Sequence, residues 1–138
     1  MNERTTLSDR LLPRRPAAAD DDPDACDDCG VFGVLRGANA RAAMLELRMK
    51  GGGREAFPYA LLERLSFDPS VGLTLRFLGA EVRLLGRNLA RPAGAGPSLL
   101  DALLRHRAAW VGEVDELRAA ARSDDAVVVT RIEVAAAK

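Results

Sequence analysis

The sequence predicts an α+β domain: an antiparallel sheet of about five strands, packed by a helix from the C-terminal half, plus a final strand. Three observations lead there. After Met44, apolar residues recur with period two, as a half-buried strand requires. From Ser98 the pattern changes to a leucine stripe at helical spacing. Ala126 to Val134 (AVVVTRIEV) is then strongly β-prone. Strands running before a helix point to α+β rather than α/β.

The elements follow in order. Residues 1–28 read as a disordered acidic leader, with prolines at 13, 16 and 23 and few sizeable apolar groups. Such text buries too little surface to offset its ordering entropy. Residues 29–43 are expected to connect leader and body. Val31 to Leu35 in this segment is a short strand or an apolar tack, and Asn39 to Arg48 is Ala-rich enough to start helical. The domain is placed at 44–134. Leu45, Leu47 and Met49 alternate with Glu46, Arg48 and Lys50, and Gly51 to Gly53 supplies a hairpin turn. Arg54 to Phe57 returns, Pro58 interrupts, and Tyr59 to Glu63 is a short helical turn or a bend before Leu65 and Phe67. Val71, Leu73, Leu75 and Phe77 share one strand face; Ala80, Val82 and Leu84 share the next. Ser98 caps a helix with Asp101 three residues on. Leu99, Leu100, Leu103 and Leu104 form its stripe, and Trp110 and Val111 end it near Gly112. A second helix is expected over Asp115 to Arg122, then the final strand and a frayed tail at 135–138.

Composition bounds the function classes. No stretch approaches the roughly 20 apolar residues of a membrane helix, and Met1 to Arg15 has no apolar core of a secretory signal. Two cysteines make no disulfide framework. A cytoplasmic address is the expectation, with no membrane partner. The formal net charge is +0, yet six aspartates lie between Asp20 and Asp28. From Gly30 to Trp110 there are 12 basic residues and 6 acidic ones. Of 20 basic residues all but Lys50 and Lys138 are arginine. A guanidinium forks onto phosphate or carboxylate, although a GC-rich genome produces the same bias.

Four sets of residues carry candidate chemistry. Cys26 and Cys29 have the Cys-x-x-Cys spacing of half a zinc site or a redox pair. A single chain adds only His106 as a further soft ligand, whereas two chains could pool four cysteines. Arg83, Arg87, Asn88, Arg105 and Arg107 are the candidates for anion binding, Gly86 to Leu89 lying where a strand ends. The bland alternative there is a turn with Asn88 left-handed. Gly51 to Gly53 is a hairpin tip rather than a phosphate cradle, since no Lys-Ser/Thr follows. His106 stands beside arginines that lower its pKa, which makes it a poor general base. The aromatic rings, Trp110 included, are assigned to the core, so base stacking and nucleic acid are disfavoured.

Two resemblances add to this. Cys29-Gly30-Val31-Phe32-Gly33-Val34 is similar to the N-terminal motif of class II glutamine amidotransferases. That likeness implies Cys29 as nucleophile once residues 1–28 are removed. The family's Arg-Gly and Asn-Gly-Asp elements have no counterpart downstream. The segment 44–116 resembles a group of small bacterial proteins without assigned function, through Pro58-Tyr59, Gly86 to Leu89, Leu103 to Arg107 and Trp110. It implies no activity. The sequence alone therefore leads to a non-catalytic accessory or interaction domain that needs no cofactor and has room for an unidentified protein partner. An arginine-dependent anion or nucleic-acid binding module is the alternative. A metal-binding protein and an amidotransferase-like fragment stand behind both.

Overall fold

The computed structural model describes residues 26–37 and 39–136, and most of them are strand. Strands hold 47% of the described residues and helices 13%. Nine strands run in chain order: β1 (Cys26–Asp28), β2 (Phe32–Leu35), β3 (Met44–Arg48), β4 (Arg54–Pro58), β5 (Leu62–Asp68), β6 (Gly72–Phe77), β7 (Ala80–Arg87), β8 (Ala108–Gly112) and β9 (Val128–Ala136). Between them sit α1 (Leu99–Leu104) and α2 (Glu116–Ala120). One sheet has the order β1-β2-β8-β3-β4 and the other β5-β6-β7-β9. The α+β expectation is therefore overturned. The molecule is a mostly-β fold of two sheets, and no long C-terminal-half helix covers a single sheet.

Two local events account for the difference. The expected meander is split at Pro58, which ends β4; a 3-10 turn, Tyr59–Leu61, carries the chain into the second sheet. The expected helix stops after six residues. Arg105 caps it, His106 takes the left-handed φ of 57°, and the chain turns into β8. Ala108-Ala109-Trp110-Val111-Gly112 carries an aromatic and a β-branched residue, which suit a pleated surface. β8 lies antiparallel to β2 and parallel to β3, with Trp110 opposite Gly33 on one side and Glu46 on the other.

One core fills the space between the sheets. Phe32, Leu45, Leu47 and Val111 from the first sheet meet Leu73, Leu75, Phe77, Val82, Leu84 and Val129 from the second. Phe57 and Phe77 stack across the gap with ring centroids 5.0 Å apart. Leu99 and Leu103 of α1 are fully buried, whereas Leu104 is 56% exposed. Half of the predicted leucine stripe thus packs, and the remainder faces out or sits at the rim. The stretch expected only to connect leader and body supplies β2 and the fully buried Phe32. Residues 26–28 of the expected leader form β1; residues 1–25 lie outside the described ones. The Gly51–Gly53 hairpin is present, with Met49 N–H donating to Gly53 O and Gly52 at φ 97°.

The long outer strand β9 is tied to the first sheet along its edge. Val114 N–H donates to Val129 O, Lys50 Nζ to Thr130 O, and Ile132 N–H to Glu113 Oε2. β4 is closed by a proline, and β5 carries a register shift between Leu62 and Arg64. These devices blunt edges that would otherwise template pairing with another chain.

Leu103→Ala should lower unfolding free energy by about 2–5 kcal/mol, and Leu104→Ala by less than about 0.5 kcal/mol. Urea denaturation of the two variants checks this. Equal losses would mean that α1 extends beyond Leu104.

Candidate functional site

The arginines nominated from the sequence do not converge. Arg83 lies exposed on β7 and pairs with Glu81 at 3.4 Å. Arg87, at the end of the same strand, points to the C-terminal end of α2. Its Nη2 donates to Ala119 O at 2.9 Å, Ser123 O at 3.3 Å and Arg122 O at 3.4 Å. Asn88 has φ 60°, and its Nδ2 donates to Asp124 O and Ala126 O at 2.8 Å each. Both side chains bind main-chain carbonyls of the 119–126 loop, and Arg87 Nε is left buried without a partner. Arg107 is spent likewise, with Nε and Nη2 donating to Leu35 O at 3.1 and 2.6 Å. Arg105, the cap of α1, lines a small cleft with Asn39, Arg41 and Leu104.

The cysteines sit on the first hairpin. Cys29 N–H donates to Phe32 O at 2.8 Å, closing the turn between β1 and β2. Burial, followed by the charge of Asp27, pushes both thiols above their ordinary value. Cys29 lines a cleft of about 440 Å³ with Asp27, Asp28, Gly96 and Arg107. His106 does not join them. Its ring stacks on Tyr59 with centroids 4.5 Å apart. Among the described residues, no three His, Cys, Asp or Glu side chains gather closely enough to hold a metal ion.

A further cleft, about 590 Å³, is lined by Lys50, Glu113, Glu116, Thr130, Arg131 and Glu133 among others. Its central carboxylate is structural. Glu113 accepts Lys50 N–H on Oε1 at 3.1 Å and Ile132 N–H on Oε2 at 2.8 Å, joining the two sheets.

The one constellation that spans a whole sheet was missed from the sequence. Trp110 was expected in the core, but its indole lies on the outer face of the five-stranded sheet, half-buried. The ring crosses β2 directly over Gly33, where any Cβ would overlap the indole. It reaches the Cys26 thiol on β1. On the opposite side Arg48 Cζ stands 4.3 Å from the ring centroid, the distance of a cation–π contact. Arg48 Nε donates to Glu46 Oε1 at 2.9 Å, and Arg54 Nη1 to Glu46 Oε2 at 3.1 Å. Hydrogen bonding from Arg48 holds the Glu46 carboxyl below its ordinary value. A thiol, an indole, two guanidiniums and a carboxylate thus run side by side from β1 to β4. The signal was in the text: Arg48 alternates with buried Leu47, and Trp110 with buried Val111.

No family model matches the chain, and neither a curated protein nor a solved structure is similar to it. No helix among the described residues is long and apolar enough to cross a membrane.

Two outcomes follow from this geometry. Arg87→Ala should cost about 1–3 kcal/mol, since it strands main-chain acceptors, while Arg83→Ala should stay within about 0.5 kcal/mol. Thermal denaturation of both variants checks it. Burial, then the Arg41 charge, lowers the His106 pKa below 6.5. The unfolded chain therefore binds the proton better, and stability present above pH 6.5 is lost as pH falls toward the folded value. Melting curves between about pH 7 and 5.5 should show this loss. His106→Asn, which tolerates the left-handed backbone, should flatten it.

Proposed function

We propose that this is a non-catalytic interaction domain that binds a protein partner through the outer face of its five-stranded sheet. One observation carries the reading. Trp110 is laid flat on a solvent-facing sheet and braced by Gly33, Arg48 and Cys26, instead of being packed into the core. Tryptophan and arginine are the side chains most enriched among residues that dominate binding energy. A ring held in place before contact loses little freedom on binding. The platform carries Arg48 and Arg54 against Glu46, so it suits a partner of mixed polarity better than a polyanion. A cytoplasmic location belongs to this proposal.

A second reading, anion or nucleic-acid binding, has its own support on the other sheet. Arg64 and Arg76 stand opposite each other on β5 and β6, and Arg83 and Arg131 follow on β7 and β9. Glu81 and Glu133 pair with Arg83 and Arg131, which weakens that support. Binding of a mixed oligonucleotide that falls steeply between low and moderate salt would favour this second reading.

The test is quantitative co-purification with intact chain and three variants. Proteins enriched by the wild type should be lost with Trp110→Ala and with Arg48→Ala, and kept with Arg83→Ala. For a purified partner, Trp110→Ala should weaken affinity by about 30-fold or more, the scale of a dominant contact. Enrichment unchanged by both face variants would refute the proposal.

A further inference from the structure

We propose that Cys26 and Cys29 form a redox latch, in which oxidation to an intramolecular disulfide releases β1 from β2 and unbraces the Trp110 platform. Its consequence for binding rests on the interaction reading above; the latch itself does not.

The geometry sets the two thiols close but on different sides. Their sulfurs lie 3.9 and 4.0 Å from the same acceptor, Asp27 O. Alternation along β1 sends Cys26 to the outer face, where it meets the Trp110 indole, and Cys29 inward against the core. Cα atoms three residues apart in an extended strand are separated by about 10 Å. A disulfide needs them within about 7 Å. The bond therefore cannot form while β1 stays extended, and forming it costs the Cys26↔Leu35 and Asp27↔Val34 pairing. That cost is small by construction. β1 is an edge strand of three exposed residues, held besides its ladder by the ion pair of Asp27 with Arg36 at 2.6 Å.

The oxidant is a hydroperoxide, with hydrogen peroxide as the simplest. The exposed Cys26, as thiolate, attacks one peroxide oxygen, the O–O bond breaks, and the departing hydroxide takes the thiol proton as water. The resulting sulfenic acid is attacked by the Cys29 sulfur. The S–S bond forms as the sulfenic oxygen leaves with the Cys29 proton, as a second water. The thiol pair loses two electrons, and the peroxide gains them. Thiols held above their ordinary pKa react slowly. They are also poor leaving groups, so the disulfide, once formed, persists.

The consequence reaches the platform through one atom. Cys26 Sγ lies against the indole that crosses Gly33. Drawing that sulfur toward Cys29 bares this side of the ring and uncovers the β2 edge.

The chain's single tryptophan is the reporter. Reduced full-length protein is treated with hydrogen peroxide and followed by intact mass, tryptophan emission and hydrogen exchange. The proposal expects a monomer lacking two hydrogens, faster exchange of amides in residues 26–29 and a red shift of the emission. A thiol reductant should reverse all three. Cys26→Ser and Cys29→Ser should keep their exchange protection under the same treatment. An intramolecular disulfide with unchanged emission and exchange would overturn the proposal, as would disulfides only between chains. These readouts involve no partner. A latch that works while Trp110→Ala leaves binding intact would sink the interaction reading alone, and the converse outcome would sink the latch alone.

Discussion

The structure depends on a corner built around Tyr59. Its hydroxyl donates to Ala108 O at 2.6 Å, its ring stacks on His106, and its own N–H donates to Ala43 O. A buried phenol without an acceptor would be costly, and burial here pushes its pKa strongly upward. The bond therefore fixes where β8 begins. Ala42 N–H donating to His106 O and Leu35 N–H to Arg107 O bring β3 and β2 to the same place. From that corner the chain leaves α1 in a left-handed step and threads β8 between β2 and β3. Everything on the outer face of the first sheet follows from this insertion.

The insertion connects packing to function. Val111 drops into the core at 0% exposure, so Trp110 must face outward. Only a glycine at position 33 leaves room for the ring to lie across β2. Arg48, one residue beyond the buried Leu47 on the parallel neighbour, then meets the ring from the other side. The platform is thus assembled by register, with the side chains held by strands rather than loops. The arginines at 87 and 107 serve the same architecture, Arg107 by satisfying the carbonyl where β2 ends and Arg87 by satisfying those at the end of α2.

Much of the local structure was legible in the text. The alternation from Leu45, the triple-glycine turn, the strand over 80–84 and the Ser98 cap are present, while the strand read from Val71 begins at Gly72 and the final strand read over 126–134 runs from Val128 to Ala136. These depend on neighbours in sequence. What was not legible depends on partners far along the chain. Leu103 through Trp110 reads as helix, since nothing local announces that Tyr59 will draw Ala108 into a strand. The split at Pro58 was seen as an interruption, but not as a passage between sheets. Arg87 and Asn88 looked like a ligand site because their acceptors, in residues 119–126, lie more than a loop away. The Trp110 platform was hidden for the same reason: it draws six residues from five strands, and no motif spans them.

Backbone NMR of the uniformly labelled chain over residues 99–112 tests this account most directly. Helical chemical shifts should end by Leu104. Strand shifts should cover 108–112, with cross-strand contacts from Trp110 to Gly33 and to Glu46. Unbroken helical shifts from Leu99 to Trp110, without those contacts, would contradict the inserted strand and the surface built on it.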